Sequence, residues 1–172
     1  MTVINIRGEN VDQTWRDVEV AEKTRSLDSV ILSFASLKEH IETLDQKSLS
    51  RIGVRLTVND EIGEIADHAR HIGLIDLVFP NFKDGRHFST AVTVRRDYGF
   101  SGDLRASGDI LPDQALFLAR CGFSTIVVPV QFPVKQFKTS LGAYTIAYQA
   151  AVDSNVSQVN DLRRSAAEVV AE

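Results

Sequence analysis

The sequence is poor in cysteine and has no long apolar run. Cys121 is the single cysteine, which excludes an internal disulfide and a cysteine-rich metal site. No apolar stretch approaches the roughly 20 residues that a membrane-spanning helix needs. Residues 1–7 have neither a basic lead nor a signal-like apolar core. We therefore expect a cytoplasmic protein that does not bind a membrane.

An excess of positive charge is also missing. The chain has 19 lysines and arginines against 23 acidic residues, a net charge of −4. Sequence-independent binding of nucleic acid depends on neutralising phosphates with Lys and Arg, so we predict no nucleic-acid partner. A local basic pocket remains open, because Arg86, Arg95, Arg96 and Arg105 fall close together in the sequence.

Several catalytic fingerprints are absent. The chain has no G-x-G-x-x-G, no P-loop and no G-x-S-x-G, so neither a dinucleotide site nor a serine hydrolase is indicated. His68 and His71 have a spacing that would allow shared metal ligation on a helix, but no third ligand has suitable spacing. We predict no metal site, and the sequence names neither a cofactor nor a reaction.

The composition is that of one ordinary globular domain. Of the 172 residues, 44% are hydrophobic and 24% are charged, and this length buries a sizeable core. We expect a single α/β domain over residues 1–150, followed by a C-terminal helical tail over residues 151–172.

Apolar strand-length runs alternate with helical stripes along most of the chain. We predict five or six strands, one within residues 2–18 and the others at residues 29–34, 52–58, 74–79, 103–106 and 124–128. This alternation favours a mainly parallel sheet with right-handed crossovers. An open sheet with helices on both faces is our first choice. A partial β/α barrel that covers its edges by dimerising is the alternative.

Two narrow apolar seams follow Pro133. Their members step by three and four residues, which indicates helices. The first seam is Val134, Phe137, Leu141, Tyr144 and Tyr148, and the second is Val159, Leu162, Ala166 and Val169. Such seams can pack back on the same subunit or across the two-fold axis of a homodimer.

Polar residues are concentrated in two loops, at residues 79–86 and 105–114. If the preceding strands are parallel, both loops emerge at the carboxyl edge of the sheet, where α/β proteins usually bind ligands. We therefore predict a site for a small anion or an anionic cofactor. Its predicted residues are Asp84, Arg86, His87, Arg105, Ser107, Gly108, Asp109, Asp113 and Gln114.

Arg105 is the residue we single out within this set. A guanidinium at the end of a buried strand needs a carboxylate or an anionic ligand to offset its desolvation. The structural alternative to a ligand is an internal salt bridge to Asp84, Asp109 or Asp113.

The other polar loop residues also have two interpretations. Asp84 can cap a helix or stand at the mouth of the site, whereas Arg86 opposes the helix dipole and needs another reason for its position. Residues 107–109 lie between a strand and a helix, where backbone N–H groups can hold an anion. Asp113 and Gln114 either serve the first helical turn or contact a ligand. His87 is the one histidine close to these loops.

Three sequence blocks together carry a family resemblance. They are F-P-x-F-x-D-G-R at residues 79–86, G-D-L-R-A-x-G-D-I-L-x-D-Q at residues 102–114 and A-R-C-G-F at residues 119–123. Over residues 52–149 the chain resembles the bacterial family called domain of unknown function 934. The combination of blocks is specific, although no single block is.

The resemblance implies a link to sulfur assimilation. Genes of that family tend to lie beside those for sulfite reductase, and members are often labelled oxidoreductases. The expectation is an accessory protein or an oxidoreductase in assimilatory sulfite reduction. The alternative is a non-catalytic interaction module that docks on a sulfite reductase complex through the first seam.

Overall fold

The structure is a computed structural model that describes residues 1–18, 29–144 and 149–152. The strands are β1 (Thr2–Asn5), β2 (Trp15–Asp17), β3 (Ser29–Ser33), β4 (Ile52–Leu56), β5 (Leu74–Phe79), β6 (Asp103–Gly108) and β7 (Thr125–Val128). The α-helices are α1 (Phe34–His40), α2 (Gln46–Leu49), α3 (Ala66–Ala69), α4 (Arg86–Arg96), α5 (Ala115–Arg120) and α6 (Val134–Leu141). Short 3₁₀ turns lie at Ile41–Thr43, Ile62–Ile65 and Pro112–Gln114.

Within these residues the strands form one sheet in the order β1-β7-β6-β5-β4-β3-β2. All neighbours from β2 to β7 pair in parallel, and β1 is antiparallel to β7. The predicted mainly parallel α/β sheet is confirmed. Consecutive strands are neighbours and the sheet is curled. The architecture is therefore the partial β/α barrel that we gave as the alternative, and not the open sheet that was our first choice.

The described residues include one strand more than the six predicted. This additional strand is β2, in the segment around Trp15, where the sequence pattern is weak. β2 has three residues and pairs with β3, so its pattern is too short to distinguish from a loop. At the other edge, Val11 N–H donates to Val3 O at 2.9 Å and Asn5 N–H donates to Glu9 O at 2.8 Å. The chain therefore folds back over β1 and occupies part of that edge.

The two faces of the sheet differ in composition. The register places Val54, Ile75 and Leu104 on one face, and they belong to the apolar core together with Leu37 and Leu118 from the helices. This is the outer face of the half barrel. The opposite, inner face carries charged residues at the middle of the same strands, which is unusual for buried parallel strands.

Tilted and edge-to-face contacts between aromatic rings hold α4 and α5 against the outer face. The ring of Phe88 lies 5.1 Å from that of Phe79, 4.4 Å from that of Phe117 and 6.3 Å from that of Phe123. Aromatic pairs at these distances stabilise by about 0.5–1.5 kcal/mol beyond the area they bury. This packing fixes both helices that follow the predicted loops.

The first apolar seam packs on its own subunit through α6. Phe137 is fully buried and its ring lies 5.8 Å from that of Phe132, and α6 contacts α5 and the turn at Pro112–Gln114. Tyr144 is 76% exposed. Tyr148, the second seam and nearly all of the predicted tail lie outside the described residues.

Arg95, one of the four arginines close in sequence, joins the ends of several elements. Its Nη1 donates to Phe100 O at 2.8 Å and Gly102 O at 2.9 Å, and its Nε donates to Gly122 O at 2.9 Å. Burial lowers the pKa of this arginine, although the charge of Asp103 acts in the opposite direction.

Among the described helices, none is long and apolar enough to span a membrane.

Candidate functional site

A row of charged side chains crosses the inner face of the sheet. Arg55 on β4, Asp76 on β5, Arg105 on β6 and Thr125 on β7 are successive register partners. Partners in a parallel register project to the same face, so these four residues form one layer. Charges buried in this way are normally paired.

Asp76 is the most deeply buried member of the row. It is 0% exposed, and its Oδ2 accepts a hydrogen bond from Arg55 Nε at 2.7 Å. Its Oδ1 is buried and has no hydrogen-bond partner among the described residues. A buried acceptor without a donor costs about 1–3 kcal/mol. Asp76 therefore orients Arg55 through its Oδ2, while its Oδ1 accepts no hydrogen bond from the described residues.

Arg55 connects this buried layer to the surface. Its side chain is 38% exposed, and Nη1 lies 2.7 Å from Oδ1 of Asp17, a carboxylate that is 61% exposed. Burial alone would lower the pKa of Arg55, but the hydrogen bonds and charges of Asp76 and Asp17 raise it overall. The guanidinium thus stays charged between one buried and one exposed acid.

An open cleft of about 720 Å³ lies at Arg55, at the carboxyl ends of β2, β3 and β4. Its polar lining residues are Asp17, Ser33, Arg55, Thr57 and Asp60, and its apolar ones include Val18, Ile31 and Phe34. Cavities of about 300–1,000 Å³ with a few convergent polar groups are typical of small-molecule sites. The cleft is therefore the candidate functional site of the described structure.

Two of the polar groups in the cleft are already committed to local structure. Ser33 Oγ caps α1 by accepting from Ser36 N–H at 3.2 Å. Asp60 Oδ2 accepts from the backbone N–H of Thr57 at 2.6 Å and from its hydroxyl at 2.8 Å. These bonds shape the walls and leave Arg55 and Asp17 as the groups best placed to meet a ligand.

The two loops of the predicted site converge beside this cleft. Asp109 Oδ2 accepts from Phe82 N–H at 3.1 Å, and Gln114 Nε2 donates to Phe82 O at 3.1 Å. Gln114 Oε1 also accepts from Leu111 N–H at 3.0 Å. Asp109 and Gln114 therefore join one loop to the other, and a role in ligand binding stays a prediction for both.

Gly108 permits the close approach of these loops. Its φ is +95°, and a Cβ there would lie 2.2 Å from Phe79 O. Both the backbone conformation and the space require glycine. Ser107, just before it, is 8% exposed and pairs in register with Val78 on the inner face.

Asp84 and Arg86 form a forked ion pair at the rim. Arg86 Nη2 lies 2.7 Å from Asp84 Oδ2, and Arg86 Nη1 donates to Val58 O at 3.2 Å. Hydrogen bonds from Arg86 lower the pKa of Asp84 to about 2. Since Val58 lies between Thr57 and Asp60 of the cleft, the position of Arg86 is explained by a bond to the cleft wall.

His87 is buried behind this rim. It is 2% exposed, its ring lies 5.6 Å from that of Phe79, and its Nε2 has no partner among the described residues. Burial lowers its pKa, while the charge of Asp84 and a hydrogen bond to the Val78 backbone partly offset that effect. The imidazole is therefore neutral at pH 7.

Arg105 lies away from Arg86, on the inner face. It is 3% exposed, its Nη2 lies 3.2 Å from Asp103 Oδ2, and its Nε donates to Thr125 Oγ1 at 3.3 Å. Its carboxylate partner is thus Asp103, which was not among our three alternatives. β6 continues to Gly108, so Arg105 stands at the third position of the strand rather than at its end.

The remaining predicted residue, Asp113, borders a separate and smaller cavity. That cavity has a volume of about 480 Å³ and lies between the turn at Pro112–Gln114 and α6, with Lys135 on its other side.

Of the two histidines spaced for metal ligation, His68 has its Nε2 3.5 Å from Glu42 Oε1. In the described ranges, no three His, Cys, Asp or Glu side chains are grouped closely enough to hold a metal ion.

Sequence reasoning missed Arg55, which lines the cleft, and Asp76, which is bonded to it, although a signal existed. Arg55 and Asp76 are single charges inside otherwise apolar strands, the same feature that drew attention to Arg105. Asp17 had no such signal, because the three-residue β2 carries no recognisable strand pattern.

Fold and cleft together define a class, an α/β half barrel with a ligand-sized opening at its carboxyl edge. The chain belongs to the family described as bacterial protein of unknown function (DUF934), whose model matches residues 53–159. No curated protein and no solved structure matches the chain.

Proposed function

We propose that this protein is an accessory protein of assimilatory sulfite reduction that binds a small molecule by an anionic group. The ligand occupies the cleft at the carboxyl ends of β2, β3 and β4, and Arg55 receives the anionic group. The observation that carries this proposal is the guanidinium of Arg55, half exposed in the cleft and fixed from behind by Asp76.

The binding chemistry follows from the donors of Arg55. A guanidinium has five N–H donors in a rigid fork, and the described bonds use Nε and Nη1. Its remaining donors match the oxygens of a carboxylate, sulfonate or other oxoanion. Because Asp76 already orients the fork, little side-chain entropy is lost when a ligand binds.

The predicted residues around the two loops support this site indirectly. Arg86 bonds the cleft wall at Val58, and Asp109 and Gln114 tie the adjoining loops together. The connection to sulfite reduction rests on the family resemblance, since genes of the family tend to lie beside those for sulfite reductase.

A thermal-shift screen tests the binding site. The panel contains sulfate, sulfite, phosphate, a nucleotide and small organic acids with and without an amino group. A ligand at about 100 times its dissociation constant adds about 2.7 kcal/mol to the free energy of unfolding. We expect at least one compound to stabilise the wild type but not Arg55→Gln, whereas Arg70→Gln, an exposed arginine outside the cleft, retains the effect. The proposal is overturned if no compound stabilises the wild type, or if every stabilising compound acts equally on the wild type and on Arg55→Gln.

Growth of a deletion strain tests the metabolic role. Without the gene, we expect slow growth on sulfate as the sole sulfur source and normal growth when sulfide is supplied. The wild-type gene should restore growth and the Arg55→Gln gene should not. Equal growth of the deletion strain on both sulfur sources contradicts a role in sulfite reduction.

The alternative, a module that docks on a sulfite reductase complex, is favoured by one observation. Tyr144, the last member of the first seam among the described residues, is 76% exposed, whereas Phe137 within the seam is fully buried. Docking through the seam would therefore use Tyr144. Co-purification with sulfite reductase that fails on Tyr144→Asp but survives Arg55→Gln supports docking over ligand binding.

A further inference from the structure

The charges around Arg55 restrict which anionic ligand fits the cleft. Among the described lining residues, Asp17 and Asp60 are acidic and Arg55 is the one base. Asp76 adds a buried carboxylate directly behind Arg55. A ligand that carries only negative charge meets repulsion from acids on both sides of the guanidinium that would bind it.

The two acids bonded to Arg55 differ in their freedom to move. Asp76 is 0% exposed on a central strand, whereas Asp17 is 61% exposed at the end of β2, a three-residue strand at the sheet edge. The contact between Arg55 Nη1 and Asp17 Oδ1 is therefore the half of the arrangement that can open. When it opens, a cation site and an anion site stand side by side in the cleft.

We infer that the ligand is zwitterionic, with its anionic group on Arg55 and a neighbouring ammonium group on Asp17. This inference rests on the proposed function, because it assigns the ligand class of the same cleft. The ligand inserts into the Arg55–Asp17 ion pair and satisfies both partners. Asp17 is then the residue that determines specificity, since it rejects a simple anion and receives the ammonium group.

Asp60 is less suited to this role than Asp17. Its Oδ2 accepts two hydrogen bonds from Thr57 that shape the turn after β4. In the described structure the bonds of Asp17 go to Arg55. A substitution at Asp17 therefore changes the charge of the cleft without removing a bond that holds a wall.

Isothermal titration with matched probes tests the inference. Taurine and isethionate share a two-carbon sulfonate and differ in an ammonium against a hydroxyl group. β-Alanine and 3-hydroxypropionate form the corresponding carboxylate pair. For the wild type we expect the amino compound of a pair to bind at least tenfold more tightly than its hydroxyl counterpart.

Asp17→Asn should reverse this preference. We expect the amino compound to bind at least tenfold more weakly than to the wild type, and the hydroxyl compound to bind more tightly. Asp67→Asn removes the same charge from an exposed position on α3 and should leave both affinities unchanged. Melting curves without ligand confirm that the variants fold.

The possible failures are distinguishable. If both members of a pair bind the wild type equally, or Asp17→Asn changes both affinities alike, the zwitterion is excluded while the Arg55 site stands. If no probe binds the wild type or Asp17→Asn, the zwitterionic ligand is excluded. The Arg55 site is excluded as well only if the thermal-shift panel also fails to stabilise the wild type.

Discussion

Three arginines of this chain differ in their surroundings, and the difference decides what each one can do. Arg105 is 3% exposed beside Asp103, Arg55 is 38% exposed in the cleft, and Arg86 is 60% exposed in a pair with Asp84. Removing one partner of a buried pair destabilises the fold, because the other charge is left uncompensated. A half-exposed guanidinium with an orienting acid behind it is the better ligand group.

We expect Arg105→Ala to act on stability. Removing Arg105 leaves Asp103 without its cation and leaves a cavity on the inner face, so the free energy of unfolding should fall by about 3–5 kcal/mol. Urea denaturation measures the loss. Arg86→Ala, which breaks an exposed pair, should leave the urea midpoint almost unchanged. An Arg105→Ala protein of wild-type stability that no longer binds a ligand would instead assign Arg105 to the site.

His87 should make the protein less stable in mild acid. Its folded pKa lies below the ordinary value of 6.5 because of burial, so the unfolded chain takes up the proton first. The contribution of neutral His87 to the free energy of unfolding is complete above pH 6.5 and is lost as the pH falls towards the folded pKa. The loss is at most about 1.4 kcal/mol per pH unit.

Urea titrations at pH 7.5, 6.0 and 5.0 test the effect of His87. The wild type should lose stability more steeply than His87→Gln. Asp84 contributes little in this range, because its effect on stability is lost only as the pH falls from its ordinary pKa of 3.8 towards the folded value of about 2. Parallel pH profiles for the two proteins would contradict the assignment.

For single residues, the sequence predicts that a buried charge needs an ion-pair partner more reliably than it predicts which residue that partner is. That Arg105 needs a compensating acid follows from burial alone, but the acid proved to be Asp103, two residues earlier on the same strand. Side chains two apart on a strand share a face, so the pairing was available to sequence reasoning. The predicted strand ends at Ala106, which places Arg105 near the loop acids, whereas β6 continues to Gly108.

Among the elements, the loop after β6 depends most on one residue. Gly108 has a positive φ and lies against the backbone of Phe79, and Asp109 N–H donates to Phe79 O at 2.9 Å. The convergence of the two loops thus depends on backbone contact as well as on the side chains of Asp109 and Gln114.

We expect Gly108→Ala to destabilise the protein by at least about 2 kcal/mol, because the methyl group meets Phe79 O and the positive φ is strained. Thermal unfolding measures the effect. Gly142→Ala is the matched control, since Gly142 has a φ of −92° and its nearest atoms would lie 3.9 Å from the new methyl group. That variant should differ from the wild type by less than about 1 kcal/mol. Equal effects of the two substitutions would remove the special role of Gly108.

Elements with a long regular pattern were predictable. β5 has the predicted bounds, and α4 begins at Arg86 directly after the predicted cap region. After Asp60 the apolar stripe of Ile62, Ile65 and Ala69 predicts a helix, but the structure has a 3₁₀ turn followed by the four-residue α3. An apolar stripe gives the buried side of such a segment but not its hydrogen-bond pattern, which a tight connection between neighbouring strands determines.

For the whole molecule, the sequence predicts parallel pairing but not the curl of the sheet. Alternating strands and helices are equally compatible with an open sheet and with a partial barrel. The strand order decides between them, and it depends on where each crossover places the next strand. Arg55, Asp76 and Arg105 reveal the inner face only when the register of three neighbouring strands is known.

An incomplete barrel has edge strands, and this leads to a prediction about β2. Among the described residues β2 pairs with β3 alone, through three residues, whereas β5 has a parallel neighbour on each side. Amides of β5 should exchange with solvent only on global unfolding, and those of β2 should exchange fastest of the strands. Hydrogen exchange resolved by NMR, at protein concentrations from about 0.05 to 1 mM, measures both. Protection of β2 that rises with concentration would mean that a second copy pairs with this edge, as expected for a half barrel that dimerises. Protection of β2 equal to that of β5 at every concentration would contradict its position as an edge strand.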